Sequence, residues 1–272
     1  MDLFSLRGRT ALVLGGSGVL GQGFCRGFAD AGANVAVAGR NMERAQAAAD
    51  AIAAAGGCAR AYRADAGSLD DLHALRDAVA SDFGPVDVLL NAVGGNRPDA
   101  TALNVEAFFD LPAEALESVV SLNLMGGAIL PAQVFGKAMA ASANGGSIIH
   151  IVSASSYLPL SRVVGYSAAK AAVLNFTRWL AVEMAKSGAN VRVNAIAPGF
   201  FLTEQNRFLL TDEATGNLTA RGRTILDHTP MGRFGTPDDL MGAAVFLASN
   251  ASQFVTGAVI PVDGGFTAFS GV

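Results

Sequence analysis

Short runs of β-favouring apolar residues recur along the chain and alternate with longer segments whose apolar positions repeat at helical spacing. The runs fall at 10–14, 34–38, 59–63, 86–90, 147–152, 191–197 and 258–262, and they predict strands. Helical spacing follows the first three, to about 31, over 42–55 and over 68–82, and returns over 116–139, 167–187 and 236–247. In 167–187 the pattern is carried by Ala171, Leu174, Trp179, Val182 and Met184. Thr236 is placed to cap the last helix, with Pro237 at its first position. Such alternation predicts an α/β fold, a doubly wound parallel sheet of about seven strands with helices on both faces. No linker, repeat or low-complexity block interrupts it, so residues 1–272 read as one domain. Two stretches, 96–110 and 200–227, lack a clear period. Loops of that length in a compact domain usually serve function, and the second reads as a lid.

Composition narrows the classes. Of 272 residues, 51% are apolar and the net charge is −4, which suits one compact domain with a large core. Nothing basic enough for nucleic-acid binding stands out, and no such partner is expected. Cys25 and Cys58 follow neither a metal nor a disulfide spacing and read as buried thiols of a cytoplasmic protein. No metal site is read. The N-terminus runs into a strand without a signal-peptide pattern, and no uncharged apolar run is read as long enough to span a bilayer.

Chemistry enters at the strand ends. The first strand runs into Gly15-Gly16-Ser17-Gly18-Val19-Leu20-Gly21 and then a helix. Strand, glycine turn and helix N-terminus together form a phosphate-binding arrangement, because the glycines admit a pyrophosphate close to the backbone amides. Gly15, Ser17, Gly18, Leu20 and Gly21 are the candidate contacts; the competing reading is a tight turn in a structural βα unit. At the end of the second strand, where an NAD site carries a carboxylate for the ribose, this chain has Gly39 and Arg40. A guanidinium suits a 2′-phosphate, so NADP(H) is favoured over NAD(H). Arg40 could instead stack on the adenine or face solvent.

The strand at 147–152 delivers Ser153, and Tyr166 and Lys170 lie four apart on one face of the following helix. A free phenol has a pKa near ~10; a lysine ammonium one turn away would pull it toward neutrality. Ser153 could then hold a carbonyl or alcohol oxygen while Tyr166 moves its proton. The same spacing also describes an ordinary amphipathic helix with a surface Tyr and Lys. Asn123, amid apolar neighbours, reads on its own as a satisfied core amide.

Taken together and in order, the glycine turn, Asn91-x-x-Gly94, Asn123, Ser153, Tyr166-x-x-x-Lys170, Pro198-Gly199 with Thr203, and Asp263-Gly264-Gly265 resemble the short-chain dehydrogenase/reductase family over essentially the whole chain. The resemblance implies a single-domain Rossmann fold and an NAD(P)-dependent oxidoreductase acting on CH–OH groups. It implies a catalytic tetrad of Asn123, Ser153, Tyr166 and Lys170, with Asn123 kinking its helix and holding a relay water. Lys170 would also bind the nicotinamide ribose. Asp65 and Ala66 would lie along the adenine, Asn91 and Gly94 along the cofactor, and Pro198, Gly199 and Thr203 near the pyrophosphate or carboxamide. A homotetramer is implied, paired through the helices at 116–139 and 167–187 and through the C-terminal strand. Leu14 and Val19 depart from the shorter family branch, which has Thr and Gly there, and Asn91-Ala92-Val93-Gly94 replaces Asn-Asn-Ala-Gly.

Four segments, at 94–99, 197–207, 228–235 and 263–272, further resemble the D-mannonate oxidoreductase (fructuronate reductase) group of that family. This implies a sugar-acid substrate. Asn96, Arg162, Gln205 and Asn206, with Ser153, are the candidate substrate contacts. Arg162, four before Tyr166, is the preferred carboxylate partner. Arg97 and Arg207 lie on the same loops; His73 and His150 read as structural, and His228 reads as a structural loop histidine, with a donor to the ligand shell as the alternative.

Overall fold

The computed structural model describes residues 2–203, 207–212 and 215–271. The strands are β1 (Thr10–Leu14), β2 (Asn34–Gly39), β3 (Cys58–Arg63), β4 (Val88–Asn91), β5 (Gly146–Ile151), β6 (Val191–Pro198) and β7 (Val259–Val262). They form one parallel sheet in the order β3-β2-β1-β4-β5-β6-β7. The doubly wound seven-stranded sheet is as the alternation predicts. β1 pairs with both β2 and β4, so the winding reverses beside it and opens a crevice beyond the strand C-termini.

The helices are α1 (Val19–Asp30), α2 (Met42–Ala54), α3 (Leu69–Phe83), α4 (Val105–Phe109), α5 (Ala113–Val120), α6 (Leu130–Ala140), α7 (Val164–Lys186), α8 (Arg207–Leu210), α9 (Ala220–Asp227) and α10 (Pro237–Ala248). Strand periodicity sends alternate residues to opposite faces. Val13, Val37, Leu90 and Ile196 meet Phe24 and Phe28 of α1 and Leu240 of α10 on one face. Leu12, Leu89, Ile148 and Val193 meet Leu72 of α3, Phe135 of α6 and Leu180 of α7 on the other. Each large side chain buried this way contributes roughly 1.5–3 kcal/mol. At α10 the predicted cap is present, with Thr236 N donating to Asp239 Oδ2 at 2.8 Å and Pro237 in the first turn.

The structure corrects several readings. The segment 96–110 holds a short turn, Pro98–Ala100, and α4; the segment 200–227 holds α8 and α9. These helices are too short for periodicity to reveal them. Helix α7 starts before Tyr166, not after it. Cys25 is buried but Cys58 is exposed, because β3 is an edge strand. The helical stretch Ala113–Ala140 is long and apolar enough to cross a membrane by length and composition. More than half of its apolar window is buried inside the protein, as befits a core helix.

The glycine turn is set by contact. Gly15 has φ +80°, and a Cβ there would lie 2.9 Å from the Ala92 carbonyl. A Cβ on Gly21 would lie 2.1 Å from Gly15 O, so α1 sits directly on the turn. Gly21→Ala should therefore lower stability by about 1–3 kcal/mol, read as a lower urea midpoint. Gly242→Ala, in α10 with nothing within 4 Å of its Cβ, should be neutral or slightly stabilising.

Candidate active site

β5 ends at Ile151, and Val152 and Ser153 follow at the crevice. Ser153 is buried, and its hydroxyl accepts Ser155 N at 3.1 Å while its own N–H donates to Ser156 Oγ at 3.2 Å. These bonds cap the short turn Ala154–Ser156 and orient the Ser153 side chain. Tyr166 and Lys170 come from the first two turns of α7. Lys170 is only 3% exposed and donates Nζ to Ile151 O at 2.7 Å. Its ammonium lies 5.7 Å from the centre of the Tyr166 ring.

The electrostatics differ from the sequence expectation. Burial holds the Tyr166 phenol above its ordinary value, opposed by a hydrogen bond with Ser153. Burial also lowers Lys170 to about 8. The ammonium is directed to a backbone carbonyl, so desolvation outweighs its pull on the phenol. A protonated phenol beside a serine hydroxyl is suited to donate a proton to a carbonyl oxygen.

Asn123 is fully buried where α5 widens into the π-wound segment Ser121–Ile129. Its Nδ2 donates to Val119 O at 2.8 Å and to Gly95 O at 2.7 Å, and its Oδ1 accepts Gly95 N at 3.1 Å. One amide thus ties the helix to the loop leaving β4. A Cβ on Gly94 would lie 2.6 Å from that Oδ1 and 3.0 Å from Lys170 Nζ, so only glycine fits there.

A cavity of about 290 Å³ joins these groups. It is lined by Gly15, Gly18, Leu20 and Gly21 of the glycine turn, by Gly94, and by Ser153, Tyr166 and Lys170. Pro198, Gly199 and Thr203 close it. Val19, Ala92, Gly95, Ile151, Val152 and Phe201 also line it. Sequence reasoning missed these, although their position at strand ends beside the motifs was a usable signal.

Other candidates stand apart from this cavity. Asn91 lies beneath it, fully buried, with both amide atoms lacking a protein partner. Ser17 Oγ would meet a Cβ on Gly39 at 2.5 Å, so the hydroxyl occupies the place of a side chain at the end of β2, next to exposed Arg40. Asp65 Oδ1 accepts Gly67 N at 2.9 Å and shapes the turn after β3, with Ala66 buried beside it. Asn96 donates its amide protons within its own loop, to Arg97 O and Thr101 Oγ1. Arg97 is closed by Asp99. Arg162 is exposed on the loop before α7. Gln205 and Asn206 lie outside the described residues. His150 is buried against Thr177 Oγ1 at 2.9 Å and pushed down to about 3 by burial. His228 meets Thr224 O at 3.0 Å at the end of α9.

The residues fit a dinucleotide. α1 has Gly18 at its N-cap, so it has no side-chain cap, and no acidic residue lies in its first turn. Its leading amides are left for an anion, and the glycines keep the approach clear. No group of His, Cys, Asp and Glu suited to a metal occurs among the described residues.

A family model described as "Enoyl-(Acyl carrier protein) reductase" matches residues 17–267. The chain belongs to the short-chain dehydrogenase/reductase family, a class of NAD(P)-dependent oxidoreductases. It is 37% identical to the 2-dehydro-3-deoxy-D-gluconate 5-dehydrogenase of Escherichia coli (strain K12), covering 98% of this chain and 99% of that one. A solved structure from Haemophilus influenza, provisionally named a D-mannonate oxidoreductase and holding NAD, is 42% identical with a TM-score of 0.91 over 98% of each chain. A gluconate 5-dehydrogenase from Burkholderia cenocepacia J2315, solved with NADP and tartrate, is 34% identical with a TM-score of 0.85 over 98% of each chain.

The lowered Lys170 makes a stability prediction. Its folded form releases its proton near pH 8 and its unfolded form near 10.5. Between those values the unfolded chain binds more protons, so this contribution to stability rises with pH and is lost as pH falls through 8. Lys170→Met should remove that rise, roughly 3 kcal/mol in full, measured by urea unfolding across the window.

Proposed function

We propose that this protein transfers hydride between NADP(H) and a hydroxyl/keto carbon of a sugar acid, of the D-mannonate/D-fructuronate type. The observation that carries the reading is the convergence of Ser153, Tyr166 and Lys170 on the cavity headed by the glycine turn. The sugar-acid class is supported by the relatives' names together with the cationic rim around Arg162. The NADP preference is supported by Gly39 in place of a carboxylate and by exposed Arg40.

In this reading the bound cofactor supplies or accepts the hydride. Ser153 hydrogen-bonds the substrate oxygen. Tyr166 gives its phenolic proton to that oxygen in reduction and takes it back in oxidation. Lys170 holds the ribose and stabilises the phenolate when it forms. Asn123 fixes the π-wound turn and the loop at Gly94–Gly95, which positions Lys170. The segment 200–227, with α8 and α9, acts as the lid over substrate.

The test is nicotinamide absorbance with NAD and NADP, each offered D-mannonate, D-gluconate and neutral polyols, and the keto compounds in reverse. Turnover of the acids with NADP is expected. Tyr166→Phe should abolish turnover and keep cofactor binding. Activity confined to neutral polyols or ring ketones would overturn the sugar-acid reading. Cofactor binding without any turnover would turn the protein into a dinucleotide sensor.

The same reading carries a homotetramer. Met125, Val164, Trp179 and Val182 leave apolar surface exposed on the helical stretch 113–140 and on α7, and burial of such surface drives association. Phe266 packs on Phe200 at 5.1 Å while Phe269 stays exposed, which supports a role for the tail in association. Sedimentation should give a tetramer that dissociates when 266–272 is removed; an unchanged profile would count against the tail's role.

A further inference from the structure

Three segments meet at the loop that leads into α7, a few residues before Tyr166. Arg162 O accepts Ala102 N at 2.9 Å, tying the loop before α7 to the loop that leaves Gly94 and Gly95. Arg221, the second residue of α9, places Nη1 3.5 Å from Ser161 Oγ, so it bridges to the residue next to Arg162. The placement of α9 is set by a close approach: a Cβ on Gly222 would lie 2.3 Å from Leu210 O, and Thr219 caps the helix through Gly222 N at 3.0 Å. Arg221 is thus presented from a fixed turn of the segment that begins at the cavity wall with Phe201 and Thr203.

Among the described residues the two arginines lack a counter-charge. No carboxylate pairs with either among the described residues, whereas Arg97 and Arg233 are closed by Asp99 and Asp239. They are near enough that the Arg162 charge adds to burial in holding Arg221 below its ordinary value. Arg162 itself has φ 77°, in the left-handed region, a conformation that a non-glycine residue keeps only where surrounding contacts hold it. Like charges converging without an anion are unfavourable until an anion arrives.

We propose that Arg221 and Arg162 together bind the carboxylate of the substrate, so that α9 supplies a specificity-determining residue for acids over neutral polyols. This rests on the sugar-acid reading for the identity of the ligand. The guanidinium pair approaches the carboxylate from two segments, each able to offer a two-point hydrogen bond. Substrate then draws α9 toward the loop before α7, and the reacting carbon is held over Tyr166 and Ser153.

The experiment compares wild type, Arg162→Ala, Arg221→Ala and Arg221→Lys with D-mannonate, D-gluconate and the neutral D-mannitol. It measures kcat/KM and, separately, calorimetric binding of D-mannonate to enzyme holding reduced cofactor. Arg221→Ala should lower kcat/KM for the acid about 10- to 100-fold, through KM, and change D-mannitol by no more than about twofold. Arg221→Lys should recover part of the loss, because it keeps the charge without the planar fork. Acid turnover with unchanged kinetics in Arg221→Ala would overturn the clamp and leave the sugar-acid reading standing. Arg221-dependent binding of D-mannonate without its turnover would keep the clamp and overturn that reading. Equal losses on acid and polyol would assign Arg221 a structural role, and neither binding nor turnover of the acids would overturn both.

Discussion

At Gly94 the chain leaves β4 and passes so close to Asn123 and Lys170 that a single Cβ would lie 2.6 Å from an amide oxygen and 3.0 Å from an ammonium. Three elements far apart in sequence are registered by that contact: the β4 exit, the π-wound turn and α7. The wide turn is what lets Asn123 take Val119 O with its side chain and still grip both backbone atoms of Gly95. Shift any of the three and Lys170 loses its seat on Ile151 O. The cavity and its chemistry depend on this packing more than on any single catalytic side chain.

Burial then sets the protonation balance. The sheet is covered on both faces, so polar groups at its C-terminal edge stand in a low-dielectric rim. There desolvation keeps the phenol of Tyr166 protonated and weakens the hold of Lys170 on its proton. Both shifts favour the neutral forms. The protein thus presents a proton donor next to a serine hydroxyl, and the lysine charge comes into play as the phenolate forms. Farther out, half-buried Arg221 lies beside the loop of exposed Arg162.

Much of the fold is legible in the chain. Strand identity follows from short apolar runs, and α1 from the glycines that precede it, because these depend on neighbours within a few residues. Tyr166 and Lys170 share a face through helical geometry alone, and Gly39 with Arg40 is a local statement about one strand end. Corrections come where locality fails. α4, α8 and α9 are too short to carry a period, and Cys58 is exposed because of where β3 sits in the sheet.

The sequence by itself determined the doubly wound sheet, the glycine turn and the placing of Ser153, Tyr166 and Lys170 near one another at the strand ends. Each is written in spacing, and spacing survives without tertiary contacts. Tertiary structure alone decided that Asn123 binds the Gly95 loop, that the Tyr166 phenol lies above and not below its ordinary value, and that Arg221 comes to Ser161, next to Arg162. Those outcomes depend on distances between residues remote in the chain and on the water that packing excludes, and neither quantity exists until the chain has folded.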